Sequence, residues 1–329
     1  MSDKVKRNQS TFARRDWLKN AALFGAAAVT SPSLMAGTDP VGNPLINHSM
    51  LANKNAIRLI VSTYSYWHFG SKKYPIEKVI EKAAEIGFDG VEILQRQMES
   101  VDIPYMNKLK RLAFDNGLAL PFLSIHQNFI EPDERKRVFQ IDHTLACIRQ
   151  AVQMGIPAIR LNTGSWPGKR PDNYYQTGKM NPLPGYTDRD AFNWVVDAMG
   201  ECLKHAEREG IILCIENHWG LSSNIDLLLE IYNALKSSPS MGLNVDTGNY
   251  VGEPYTDFRR LVKHANIVQA KTYYGGGHYY DKELDYDRLA KIMREENFTG
   301  YVSLEMEGKE NADTAVPKSY KMLRKSLSI

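Results

Sequence analysis

Short apolar runs rich in β-branched residues recur along the chain, and stretches with helically spaced apolar positions separate them. The runs fall at 57–63, 90–94, 118–125, 158–162, 211–216, 242–246, 267–271 and 301–305, which makes eight. The intervening helical patterns include 76–86, 135–154, 190–208 and 225–235. Strands that are apolar throughout and alternate with helices predict a parallel sheet, and eight such units match a closed (β/α)8 TIM barrel. A doubly wound open sheet is the competing architecture, but no GxGxxG follows the first strand. The longest irregular stretch, 164–187, follows the fourth strand and carries Trp166, Tyr174, Tyr175 and Tyr186. Its aromatics are expected either to form a stacking wall or lid over a ligand site or to pack on themselves at the surface.

Polar residues end four successive strands: Glu216 before Asn217-His218, Asp246 before Thr247-Gly248-Asn249, Gln269 before Ala270-Lys271, and Glu305 before Met306-Glu307. A carboxylate at the end of an apolar barrel strand points into a partly dry mouth, where it must be paired, protonated or bound to a cation. One such residue is usually salt-bridged. Four on neighbouring strands point instead to a metal site formed by Glu216, Asp246, Gln269 and Glu305. An all-oxygen set favours Mn²⁺, with Mg²⁺, Co²⁺ and Zn²⁺ as alternatives. Residues two apart share a side of a strand, so His218 and Lys271 are expected to face the same site and take part in proton transfer or hold a substrate oxygen. His126, Arg160, Glu92, Tyr64 and Trp166 are the expected substrate contacts. Arg160 and Glu92 have the alternative of pairing with each other across the barrel. The Gly275-Gly276-Gly277 run reads as a flexible loop, since tyrosine and histidine flank it.

The chain has 329 residues, 43% hydrophobic and 24% charged, enough for one large domain. The net charge of +3 is concentrated at the start, where residues 1–36 hold a surplus of four, so the remainder carries −1. That balance leaves no basic face for nucleic acid. Arg14-Arg15-Asp16-Trp17-Leu18-Lys19, a short apolar run and Leu34-Met35-Ala36 read as a twin-arginine signal peptide over 1–36. The run is too short for a stable membrane anchor. Residues 37–55 read as a linker and 56–329 as the barrel, which the twin-arginine machinery would deliver to the periplasm or beyond. Cys147, Cys202 and Cys214 have no paired spacing and read as buried small apolar residues.

At these strand ends the chain resembles the xylose isomerase-like TIM-barrel superfamily, the sugar phosphate isomerase/epimerase group. The resemblance rests on Gly87-Phe88-Asp89-Gly90-Val91-Glu92, Ile215-Glu216-Asn217-His218, Asn244-Val245-Asp246-Thr247-Gly248-Asn249, Val268-Gln269-Ala270-Lys271 and Ser303-Leu304-Glu305. It implies that Glu216, Asp246 and Glu305 are ligands of one divalent metal. It also places Gln269 where most members have histidine. An exported subgroup is similar to lyases or hydrolases of 3-keto-glycosides.

Three functions follow as expectations. The first is a metal-dependent sugar isomerase or epimerase in which Glu216 and Glu305 exchange the proton next to a carbonyl through an enediolate. The second is a 3-keto-glycoside lyase that begins with the same step and expels the C1 substituent. The third is an exported sugar-binding protein without catalysis. The endonuclease branch of the superfamily is disfavoured by the eight histidines and the missing basic face.

Overall fold

The structure, a computed structural model, describes residues 57–329. The signal segment expected over 1–36 and the linker expected over 37–55 lie outside the described residues. Eight strands close in sequence order into one barrel: β1 (Ile57–Ser62), β2 (Gly90–Leu94), β3 (Phe122–Ser124), β4 (Ala158–Leu161), β5 (Ile212–Glu216), β6 (Met241–Asp246), β7 (Ala265–Thr272) and β8 (Gly300–Met306). Every neighbouring pair is parallel, with β1 hydrogen-bonded to both β2 and β8. The open doubly wound sheet is thereby excluded. β3 is shorter than its apolar run because Pro121, which has no N–H to donate, stands just before it.

Eight helices cover the barrel: α1 (Ile76–Ile86), α2 (Ile103–Asp115), α3 (Glu134–Met154), α4 (Asp188–Glu209), α5 (Ile225–Leu235), α6 (Tyr255–Val262), α7 (Tyr286–Glu295) and α8 (Ala312–Leu327). Their ends follow local chemistry. Thr187 and Asp190 form a reciprocal capping box at the start of α4. Gly87 ends α1 in the left-handed conformation, with its N–H donating to the Ala83 carbonyl. On α1 the buried positions Ile76, Val79, Ile80 and Ala83 recur at helical spacing and seat it on the sheet. Among the described residues no helix is long and apolar enough to cross a membrane.

The main core lies between helices and sheet, and a second, small apolar cluster fills the floor of the barrel. That floor consists of Ile60, Phe122, Ala158, Cys214 and Ile267, with Ile212 and Tyr301 against it. All three cysteines are free and buried, as their surroundings in sequence implied. Alternation along the strands then brings polar side chains into the barrel above the floor. Register aligns Glu216 with Asn244, Asp246 with Gln269, and Lys271 with Glu305. The register therefore stacks the charged residues at the carboxyl end of the sheet.

The 164–187 loop divides between its two expected roles. Trp166 is 3% exposed, packs against Tyr186 and Trp194, and donates its indole N–H to Asp188 at 2.8 Å. Tyr174 and Tyr175, on a single helical turn at Tyr174–Thr177, instead reach Trp219 over the barrel mouth. The loop leaves β4 at Gly164, where φ is +89° and an added Cβ would lie 1.9 Å from Asn128 Oδ1. Gly164→Ala is expected to destabilise the protein by about 2–4 kcal/mol, because left-handed strain and a backbone-anchored clash add. Equilibrium denaturation checks it, and a loss under about 0.5 kcal/mol would show that the loop root yields freely.

Candidate active site

A cavity of about 370 Å³ opens at the carboxyl end of the barrel, within the range of small-molecule sites. Its base is charged. Arg160, Lys271, Glu305 and Glu307 reach it from β4, β7, β8 and the loop after β8. Its walls are aromatic or amide-bearing, and include Tyr64, Phe69, His126, Tyr175, His218, Trp219, Asn249 and Tyr280.

Seven ionisable side chains sit in this region at 5% exposure or less: Glu92, Glu216, Asp246, Glu305, Glu307, Arg160 and Lys271. Lys271 Nζ is 2.8 Å from Glu307, 2.9 Å from Glu305 and 3.5 Å from Asp246. Arg160 lies 3.5 Å from Glu216 and 4.0 Å from Glu305. The arginine is thus not paired with Glu92. That carboxylate accepts from the hydroxyls of Ser124 and Ser303 and, at 3.0 Å, from the Gln269 amide. Glu92 lies beneath the cavity and Trp166 behind its wall, so neither of these two expected substrate contacts lines it. Tyr64, His126, Arg160, His218 and Lys271 do.

The carboxylates are not equivalent. Burial alone would raise Glu305, but the Lys271 ammonium and the Arg160 guanidinium outweigh it and hold the carboxyl below its usual value. Burial dominates at Glu216, and Arg160 does not offset it, so that carboxyl is driven well above its usual value. Burial also pushes Glu92 and Asp246 up to about 7. His218 is driven down to about 3, first by burial and then by Arg160, and His126 falls for the same two reasons. Both shifts favour the neutral imidazole, which suits it to hydrogen-bond with hydroxyls. His126 Nδ1 is buried without a partner, and a ligand could fill that vacancy.

His68 shows the consequence for stability. It stands in the left-handed region at φ 51°, its Nε2 is 2.6 Å from the Met306 carbonyl oxygen, and burial lowers its pKa from 6.5 to about 4. A lowered folded-state pKa means the unfolded chain takes up the proton first, so the contribution is complete above pH 6.5 and disappears toward pH 4. Glu92 and Asp246 act in the opposite sense over part of that window, so the effect is read as a difference. Relative to His68→Gln, the wild type is expected to lose at most about 1.4 kcal/mol per pH unit as pH falls through this range. Parallel pH dependences of the two proteins would show that His68 is not held neutral.

The expected four-donor metal set is only partly assembled. Gln269 Oε1 accepts from Asn244 Nδ2 at 2.7 Å, and its Nε2 donates to Glu92 and Glu305 at 3.0 Å each. Its amide therefore presents N–H groups toward Glu305, where a ligand would present a lone pair. Among the described residues no three His, Cys, Asp or Glu side chains stand in a metal-holding arrangement. Lys271 and Arg160 stand between the carboxylates. The charge balance nevertheless suits a divalent ion. Five buried carboxylates face two cations, and Glu216 Oε2 and Asp246 Oδ2 have no hydrogen-bond partner. Glu216, Asp246 and Glu305 fit a cation by charge and donor type; Gln269, as oriented, does not.

The aromatic wall beyond Tyr174 and Tyr175 was not legible as such. Tyr280 donates its hydroxyl to Asn249 Oδ1 at 2.6 Å and packs against Trp219 and Tyr175. The glycine run before it is a hydrogen-bonded turn, in which Gly275 and Gly276 have φ of 78° and 81°, and Gly276 N–H donates to Tyr273. Tyrosines on both sides of three glycines were the available signal. Phe69 owes its place to the backbone, since His68 and Phe69 both lie in the left-handed region.

A closed parallel barrel with a charged base and an aromatic rim around the cavity at its carboxyl end defines the class, a TIM barrel. The chain belongs to the xylose isomerase-like TIM barrel family, whose model matches residues 80–326. Solved structures similar in fold include a D-psicose 3-epimerase with D-tagatose from Clostridium cellulolyticum H10 (TM-score 0.67, 14% identity, 82% of this chain and 99% of that one). Another is apo YcjR, a 3-keto-D-glucoside 4-epimerase from E. coli (TM-score 0.63, 14% identity, 82% and 99%). A third is the IOLI protein with a bound zinc atom (TM-score 0.64, 14% identity, 82% and 98%). At such identities the likeness extends to the fold. No curated protein matches the chain in sequence.

Proposed function

We propose that this protein is a sugar isomerase or epimerase that removes the proton next to a carbonyl. One observation carries the reading: Glu305 faces the cavity between two buried cations, Lys271 at 2.9 Å and Arg160 at 4.0 Å. A carboxylate so placed can take a proton from carbon while the adjacent N–H donors hold the carbonyl oxygen on which charge develops. Lys271 and Arg160 orient that oxygen, and His126 and His218 accept hydrogen bonds from neighbouring hydroxyls. An isomerisation needs Glu305 to return the carbon proton to the adjacent carbon on the same face and a second proton to pass from the hydroxyl oxygen to the former carbonyl oxygen, a transfer that Lys271 beside Glu305 can carry. An epimerisation needs a second group on the opposite face; Glu216, held by Arg160 at 3.5 Å but beneath the cavity lining, would take that role only by reaching the substrate through the Arg160 side of the cavity.

The epimerase likenesses support the sugar, and the zinc-bound relative supports a divalent ion, Mn²⁺ by the oxygen donors. Glu216, Asp246 and Glu305 would hold it. When bound, such an ion supplies positive charge to the carbonyl oxygen. The cavity's aromatic rim favours a second reading, in which the substrate is a 3-keto-glycoside and proton removal leads to loss of the C1 substituent. Export through the signal segment read over 1–36 would put the substrate outside the cytoplasm in either case, and an amino-terminal fusion to a reporter that functions only after export tests it.

Incubation of ketoses, aldoses and a 3-keto-glucoside in D₂O, followed by NMR, decides among these outcomes. Deuterium is expected at the carbon next to the carbonyl, and it should be absent with Glu305→Gln. Elimination product in place of epimer selects the lyase. No exchange with any of them, together with unaltered binding in Glu305→Gln, would leave a sugar-binding protein.

A further inference from the structure

We propose that the Lys271 ammonium and a divalent cation are alternative occupants of one carboxylate set, so that metal loading displaces Lys271 toward the cavity. The inference rests on the reading that Asp246 and Glu305 belong to the cation site. Lys271 is 5% exposed, and its ammonium already holds Asp246, Glu305 and Glu307 within 3.5 Å. Its course is built into the fold. A Cβ at position 248 would lie 2.7 Å from Lys271 Cδ, so Gly248 leaves the lane along which the stem runs. The Lys271 backbone N–H is fixed by the Thr247 hydroxyl at 3.0 Å.

Gln269 completes the arrangement, because its amide donates to Glu305 and to Glu92. The carboxylates are therefore served by an ammonium, a guanidinium and an amide. A divalent ion bound by Asp246 and Glu305 would lie beside that ammonium in a dry site, where like charges repel strongly. The two cannot share the carboxylates. Tyr64, whose ring is 5.8 Å from Nζ, and the open cavity lie on the lysine's exit side. Displaced there, the ammonium meets the substrate.

Mn²⁺ binding to the full-length protein, read by electron paramagnetic resonance, tests the exchange without reference to turnover. Lys271→Met is expected to bind Mn²⁺ at least about tenfold more tightly than the wild type, since a competing charge is gone. Lys271→Gln is expected to do the same. Equal or weaker binding in a folded variant overturns the competition and leaves the catalytic reading standing. Binding in none of the proteins overturns both the metal assignment and the competition, while deuterium exchange would still judge the chemistry. The wild type supplies a test that needs no variant. Acetic anhydride followed by peptide mapping is expected to label Lys271 poorly in EDTA and several-fold more with Mn²⁺ present. Unchanged or reduced labelling overturns the displacement.

Discussion

Glu305→Gln is expected to lower kcat by about 10²–10⁴-fold, the range that a positioned base contributes, while the protein stays folded. The variant removes the cavity-facing carboxylate that two buried cations keep ionised. It does not strand those cations, since Lys271 keeps Asp246 and Glu307 and Arg160 keeps Glu216. The structural cost is therefore about 1–3 kcal/mol, that of weakened charge-assisted hydrogen bonds. Initial rates beside a thermal melt separate the two effects. A kcat within about threefold of wild type would remove Glu305 as the base, since so small a change lies far below that range.

Arg160→Met is expected to act mainly on stability, with a loss of about 3–5 kcal/mol, because removing one member of a buried ion cluster leaves uncompensated charge. Arg160 is buried at the base of the cavity, and among the described residues Glu216 has no other cation within salt-bridge distance. Lys271 would remain as the cation for the whole set. Adding Glu216→Gln to the variant removes the carboxyl left without its guanidinium partner and is expected to restore at least about 1 kcal/mol, the coupling typical of directly interacting residues. Chemical denaturation of the two single variants, the double variant and the wild type closes the cycle. Strict additivity would mean that Arg160 and Glu216 do not interact energetically, and the wedge between the carboxylates would then have to be sought at Glu305.

The positions of Glu216, Asp246 and Glu305 were legible because each ends an apolar run, and a parallel barrel brings all strand ends to one rim. The identities of their partners were not. Arg160 reads from sequence as a partner for Glu92, yet in space it lies against Glu216 and Glu305. Which carboxylate a long flexible side chain meets depends on stagger across the barrel and on rotamer. Neither is encoded by periodicity. Gln269 shows the same limit, since its place on β7 was evident while the direction of its amide depends on Asn244 and Glu92. Trp166 and Tyr175 share one loop, and packing alone sent one against α4 and the other to the cavity.

Local chemistry along the chain was enough to determine eight βα units, their order and the acidic ends of the last four strands. Apolar periodicity and capping residues act over a few positions, and a reader of the chain has those positions in hand. The tertiary structure decided that Lys271 and Arg160 stand between the carboxylates, that Gln269 donates toward Glu305 where a ligand would accept, and that tyrosines from separate loops share a wall. Those outcomes depend on distances between residues far apart in sequence. Only closure of the barrel sets such distances.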